Sequence, residues 1–290
     1  MTAHADPPVP APEAPPQDRF LRAPEAMGEP PEPAPPARKF ARWRAPVAIG
    51  VVILALVAGQ VAALIVLLAA GGEEAPDTVA AAAFVLADLI VLGIIIAFAR
   101  RGAERLTAAT LGIRRTRFWR AVGWTLAIWV GITALEGLWA LLVGGFSNVE
   151  EDPGISNGEM VFMLFAIAVV TPIVEELAFR GYLFPALTRW RGPWIGALLT
   201  AILFGCAHLI SSPVEAIPAL AVFGFGACLL YWFTGSLLPC IALHAVNNAI
   251  VMSVGGDWTW QIPVALAACT TLSVLLLLPF ARDRAPIAAS

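Results

Sequence analysis

The chain has 290 residues, of which 59% are hydrophobic and 13% charged, and a formal net charge of −3. A soluble domain carries about 45–50% apolar and about 25% charged residues; here the excess comes as runs of roughly 20 apolar residues, enough to cross a hydrocarbon core of about 30 Å. Composition therefore excludes an ordinary soluble globule and predicts an all-α polytopic membrane protein. The sequence carries no nucleotide-binding loop and no nucleic-acid signature, so no nucleic acid partner is expected.

Residues 1–38 hold 12 of the 24 prolines and no apolar run. Such a segment cannot bury enough surface to offset its ordering entropy, so it is read as a disordered tail. It is not a signal peptide, because the first apolar run starts near Pro46 and is long enough to span. Eight transmembrane helices follow, expected at 46–70, 79–99, 119–145, 160–187, 193–210, 214–234, 238–254 and 261–280. The layout is a tail (1–38), three helices with a basic connection (39–158), a core (159–255), and a last helix with a short tail (256–290).

Charge tests that count. Arg38, Lys39, Arg42 and Arg44 precede the first span. Seven arginines from Arg100 to Arg120 lie between the second and third. Arg189 and Arg191 follow the fourth, and Arg282 and Arg284 the eighth. The connections 71–78, 146–159, 210–216 and 254–262 contain no Lys or Arg. The positive-inside rule then places both termini in the cytoplasm. After Arg44 the one basic residue outside this alternation is Arg180, within a span. The segment 100–118 fits either an amphipathic stretch on the inner membrane surface or a plain basic loop. The four cysteines lie in apolar runs without a CxxC pair and read as small buried hydrophobes.

An ionisable group at mid-membrane costs at least about 2.5–3.5 kcal/mol and is a functional candidate by default. Asp88 and Glu136 lie in the second and third spans without an obvious local partner. The fourth contains VVTPIVEELAFRGYLF, Val169 to Phe184. Glu176 and Arg180 are four apart, share a helix face and neutralise each other. Glu175 lies about 100° round the helix with no such partner, which makes it the candidate base. Pro172, just ahead of it, removes a helix hydrogen bond. The fifth span holds FGCAH, with Phe204 and His208 on one face. The seventh holds HAVNN, with His244 and Asn248 on one face and Asn247 pointing elsewhere. Each island alone fits a packed, hydrogen-bonded clamp between helices. Together they make a sufficient kit for hydrolysis: Glu175 to take a proton from water, and imidazoles with the Asn248 amide to stabilise an oxyanion or hold a metal. Two histidines and one carboxylate (His208, His244, Glu175) also fit a Zn2+ that keeps a position open for water. The usual helical zinc signature, HExxH, is absent.

EELAFR fits EExxxR, FGCAH fits FxxxH and HAVNN fits HxxxN. In that order, on separate spans within residues 160–255, they resemble the CPBP family of CAAX proteases and bacteriocin-processing enzymes, also called Abi, whose eukaryotic relative is the Ras-converting endoprotease. The resemblance implies an intramembrane endopeptidase, metalloendopeptidase-like or glutamate-dependent, with its site in a cavity within the bilayer. It implies Glu175 as the water-activating base, His208 assisting it, and His244 with Asn248 on the oxyanion side. Glu176, Arg180 and Phe204 would act as supports. The expected partners are a peptide or lipidated protein substrate and the lipid bilayer of a bacterial plasma membrane. Two alternatives stand beside this reading. One is a non-catalytic immunity or scaffolding protein of the same fold. The other is an ion-coupled transporter with Asp88, Glu136 and Glu175 as relay, although no inverted repeat is visible. On these span limits His208 lies near the outer end of its helix and His244 about 9 Å from the inner end. A common site therefore requires tilted, broken or offset helices.

Overall fold

In a computed structural model of the chain, the described residues are 44–101, 106–144, 157–254 and 261–283, all within one compact unit, 41–290. The expected tail, and most of the connections 146–159 and 254–262, lie outside them. The described residues are helical and include no strand. Eight helices run in order: α1 (Arg44–Ala69), α2 (Asp77–Ala99), α3 (Phe118–Val143), α4 (157–191), α5 (Pro193–Ala207), α6 (Ile217–Thr234), α7 (Leu237–Val254) and α8 (Gln261–Leu277). The protein is an integral membrane protein. Six of these segments are long and apolar enough to cross a bilayer, whereas the apolar stretches Pro193–Ala207 and Leu237–Met252 are shorter. Leu54, Ile65, Trp119 and Leu141 are among many large apolar side chains turned outward, an arrangement that needs lipid around it.

Small residues set the pairings. Helix α1 packs along α2 through Ala55, Gly59 and Ala63 against Ala83 and Ala87, and a Cβ on Gly59 would stand 2.9 Å from the Ala87 carbonyl oxygen. Such close backbone approach is how membrane helices gain contact where lipid is as apolar as they are. Helices α5 and α6 pair in the same way, as do α7 and α8, while α3 leans on α6. A single α3 side chain among the described residues, Ile132, is fully buried.

Helix α4 is continuous but changes pitch. It is α-helical over Asn157–Phe165, π-helical over Ala166–Val170, α-helical over Thr171–Glu176, π-helical over Leu177–Leu183 and α-helical again over Phe184–Arg191. Each π segment ends two residues before a proline, Pro172 or Pro185. A proline ring clashes with the carbonyl four residues earlier, and widening the turn relieves that clash.

The basic connection is neither a surface helix nor a plain loop. Its described part, 106–117, turns into the bundle. Gly112, at φ +87, faces Tyr231 so closely that a Cβ would sit 2.7 Å from that ring. The Leu237 amide donates to the Gly112 carbonyl at 2.8 Å, and the Ser236 hydroxyl donates to the Arg114 carbonyl. Ile113 is buried with Leu177, Leu237, Leu238, Ile241 and Ala281. The start of α7 is therefore seated in a recess formed with this turn.

Candidate functional site

That recess resolves the mismatch of depths. Leu237 lies beside Gly181 of α4, its Cδ1 3.4 Å from where a Cβ there would be. Glu175 is six residues above Gly181, about 9 Å, and His244 is seven above Leu237, about 10 Å. The antiparallel pair α4 and α5 meets at Thr188 and Gly196, where a Cβ on the glycine would be 2.9 Å from the Thr188 nitrogen. Glu175 is 13 residues above Thr188 along α4, seven of them in the shorter-rise π segment, and His208 is 12 residues, about 18 Å, above Gly196. All three side chains reach one level.

The two adjacent glutamates have different environments. Glu176 is fully buried. Its Oε1 accepts from Arg180 Nη1 at 2.8 Å and stands 2.9 Å from His244 Nδ1. Arg180, also fully buried, donates from Nη2 to the Gly224 carbonyl of α6 at 2.9 Å and lies with its guanidinium 4.7 Å from the Phe204 ring centroid. One planar cation thus ties α4 to α5 and α6, and Glu176 adds α7. A guanidinium can do this because it offers several donors in a plane that also stacks on an aromatic face. Gly224 is part of the fit: a Cβ there would stand 3.1 Å from Phe204 Cβ and 3.2 Å from Ala201 Cα.

Among the described residues Glu175 makes no hydrogen bond. His208 Nε2 stands 3.8 Å from its Oε1 and His244 Nε2 stands 3.6 Å from its Oε2, both too long for a direct bond. The far nitrogens of both rings are committed. His208 Nδ1 is 2.9 Å from the Phe204 carbonyl, which can only accept, so Nδ1 carries the hydrogen. His244 Nδ1 is held by Glu176 in the same sense. Both rings therefore turn Nε2 toward Glu175. His208 sits at the C-cap of α5 (φ −96, ψ 5), where the helix gives way to a tight turn through Ser211 and Ser212.

Asn248 is tied to the π segment. The Thr171 amide bonds to the Ala166 carbonyl five residues back. The next such bond would join residue 172 to Ile167, but Pro172 has no N–H. Asn248 Nδ2 fills the gap, donating to the Ile167 carbonyl at 2.8 Å. Among the described residues its second N–H has no partner. Sequence reasoning missed this link, the Gly224 carbonyl, and the partner of Asp88: the Thr171 hydroxyl donates to Asp88 Oδ2 at 2.7 Å.

Glu175, His208, Asn248, Asp88 and Thr171 line one cavity of about 390 Å³. Glu136 is not among its lining residues, so the relay imagined for a transporter lacks that member. Among the described residues no three His, Cys, Asp or Glu side chains converge as a metal site. No step is therefore derived through a zinc on His208, His244 and Glu175.

Residues 157–250 match the family described as Rce1-like, type II CAAX prenyl endopeptidase. No curated protein and no solved structure gave a match.

Proposed function

We propose, from the premise that residues 157–250 of this chain are an Rce1-like domain, that it is an intramembrane endopeptidase in which Glu175 activates the attacking water. The family supports CAAX-protease-like peptide-bond cleavage in the membrane. One observation carries the finer reading: of the paired acids, Glu176 lies off the cavity with its Oε1 held by Arg180 and His244, while Glu175 lines the cavity and, among the described residues, makes no hydrogen bond.

A water placed at hydrogen-bond distance from both Glu175 and His208 Nε2 spans their 3.8 Å separation. It gives one hydrogen to the carboxylate and points the other at the imidazole lone pair. As the oxygen attacks the scissile carbonyl, Glu175 takes the proton and later returns it to the leaving amine. The second Asn248 N–H serves the oxyanion side, and His244, held through Nδ1 by Glu176, faces Glu175 with its Nε2. Substrates are membrane-associated, lipidated or peptide segments that enter the cavity from the bilayer. The arginine-rich connections support cytoplasmic termini, and a bacterial plasma membrane is the proposed location.

The test is cleavage of a membrane-associated peptide library by the full chain in nanodiscs. Glu175→Gln should lower the rate by about 10²–10⁴-fold while circular dichroism stays unchanged. Wild-type rates in a well-folded Glu175→Gln protein would remove the assignment. Metal analysis belongs beside it. Stoichiometric metal, with activity lost to a chelator and restored by the ion, would replace the metal-free step.

A further inference from the structure

Asp88 is left over by this mechanism. It lies on α2, outside the matched residues, yet it lines the same cavity as Glu175 and His208. Among the described residues its one hydrogen bond comes from the Thr171 hydroxyl, a donor that supplies no countercharge. No Lys or Arg lines the cavity, and Glu175 adds a second carboxylate with an unpartnered buried oxygen, Oε2. Two acids at membrane depth without a facing cation are costly. Gln60, Asn247 and Asn248, which also line the cavity, offer amides but no charge, and His208 faces Glu175 with Nε2 at 3.8 Å.

Resting on the protease reading, we propose that Asp88 and Thr171 form a subsite for a cationic side chain of the substrate, a lysine or arginine close to the cleaved bond. Position follows from the helix. Thr171 is one turn before Glu175 on the same face of α4, about 6 Å along the axis. An extended peptide advances about 3.3 Å per residue, so a side chain gripped there belongs one or two residues from the bond that Glu175 attacks. A free carboxylate would meet two acids and no Lys or Arg at this end of the cavity. The subsite thus disfavours a C-terminal carboxylate beside Asp88 and favours a basic residue within the chain.

The experiment separates binding from cleavage. Full-length Glu175→Gln protein in nanodiscs is titrated with a labelled Ala/Leu host peptide carrying lysine, norleucine or glutamate at its central position. The lysine peptide should bind at least about tenfold more tightly than norleucine, as for a charge-assisted hydrogen bond, with glutamate weakest. Adding Asp88→Asn keeps a hydrogen-bond partner for Thr171 but removes the charge, and should bring lysine and norleucine to parity. Asp88→Glu should keep the preference. Equal binding of lysine and norleucine, failure of every peptide to bind, or a preference that survives Asp88→Asn would each overturn the subsite. Should Asp88→Asn not fold, the lysine-to-norleucine ratio and the Asp88→Glu protein still decide. Cleavage that persists in Glu175→Gln would sink the catalytic reading and leave this binding result standing.

Discussion

Arg180 and Glu176 show what a residue can do when it is charged, buried and unavailable for chemistry. Both are wholly enclosed, and their 2.8 Å bond is one of several contacts that hold four helices around Phe204 and His244. Removing one partner from a buried pair leaves the other uncompensated, at about 3–5 kcal/mol. Arg180→Met should therefore lower the thermal midpoint in detergent sharply. Replacing both, with Glu176→Gln beside Arg180→Met, should recover part of that loss because no charge is then stranded. A double change that only adds the two single losses would show that the pair is not coupled. That these two residues neutralise each other was legible in the sequence, since i and i+4 share a helix face. The role of Glu176 as the anchor of His244 was not, because a contact across 68 positions leaves no periodic trace.

At the scale of the element, α4 carries the site on a short α segment between two π segments, and Asn248 serves the carbonyl that Pro172 leaves open. Removing the Asn248 side chain leaves the part-buried Ile167 carbonyl without its donor, at up to about 1–3 kcal/mol. Pro172→Ala supplies an N–H that can bond the Ile167 carbonyl in the π register. Asn248→Ala should therefore destabilise the Pro172→Ala protein much less than the wild type, in a double-mutant cycle read by thermal unfolding. Additive effects would mean the amide and the proline are independent. Glycine contacts give a second test. Gly181→Ala would place a Cβ 2.8 Å from the Leu111 carbonyl oxygen, whereas Gly93→Ala and Gly131→Ala meet nothing within 4 Å. Gly181→Ala should unseat the inner turn and reduce stability, with the other two near neutral. The helices themselves were readable from apolar runs and arginines. The pitch changes were not, because a π turn adds one residue per cycle without altering hydrophobic content.

For the whole molecule, the point the sequence left unsettled was how three motifs at different apparent depths meet. The answer lies outside the motifs, in the turn 106–117. Gly112 at positive φ and the bond from the Leu237 amide seat α7 deep enough to bring His244 level with Glu175 and His208. Arginine-rich composition predicts that this connection faces inward, but it does not say that Ile113 is swallowed by the bundle while Thr110, three residues away, stays exposed. Thiol labelling in sealed vesicles of known orientation tests both the recess and the topology. Cys206 is exposed and is first changed to alanine; Cys228, Cys240 and Cys269 are buried. In that background Thr110→Cys should react with a membrane-impermeant maleimide from the cytoplasmic side, and Ile113→Cys should stay unreactive until detergent unfolds the protein. Glu215→Cys, on the exposed connection before α6, should react from the opposite side. Equal labelling of positions 110 and 113 would remove the recessed turn, and with it the account of how His244 reaches the site. Labelling of 110 and 215 from one side would overturn the crossing pattern on which the inner and outer ends of every helix were assigned.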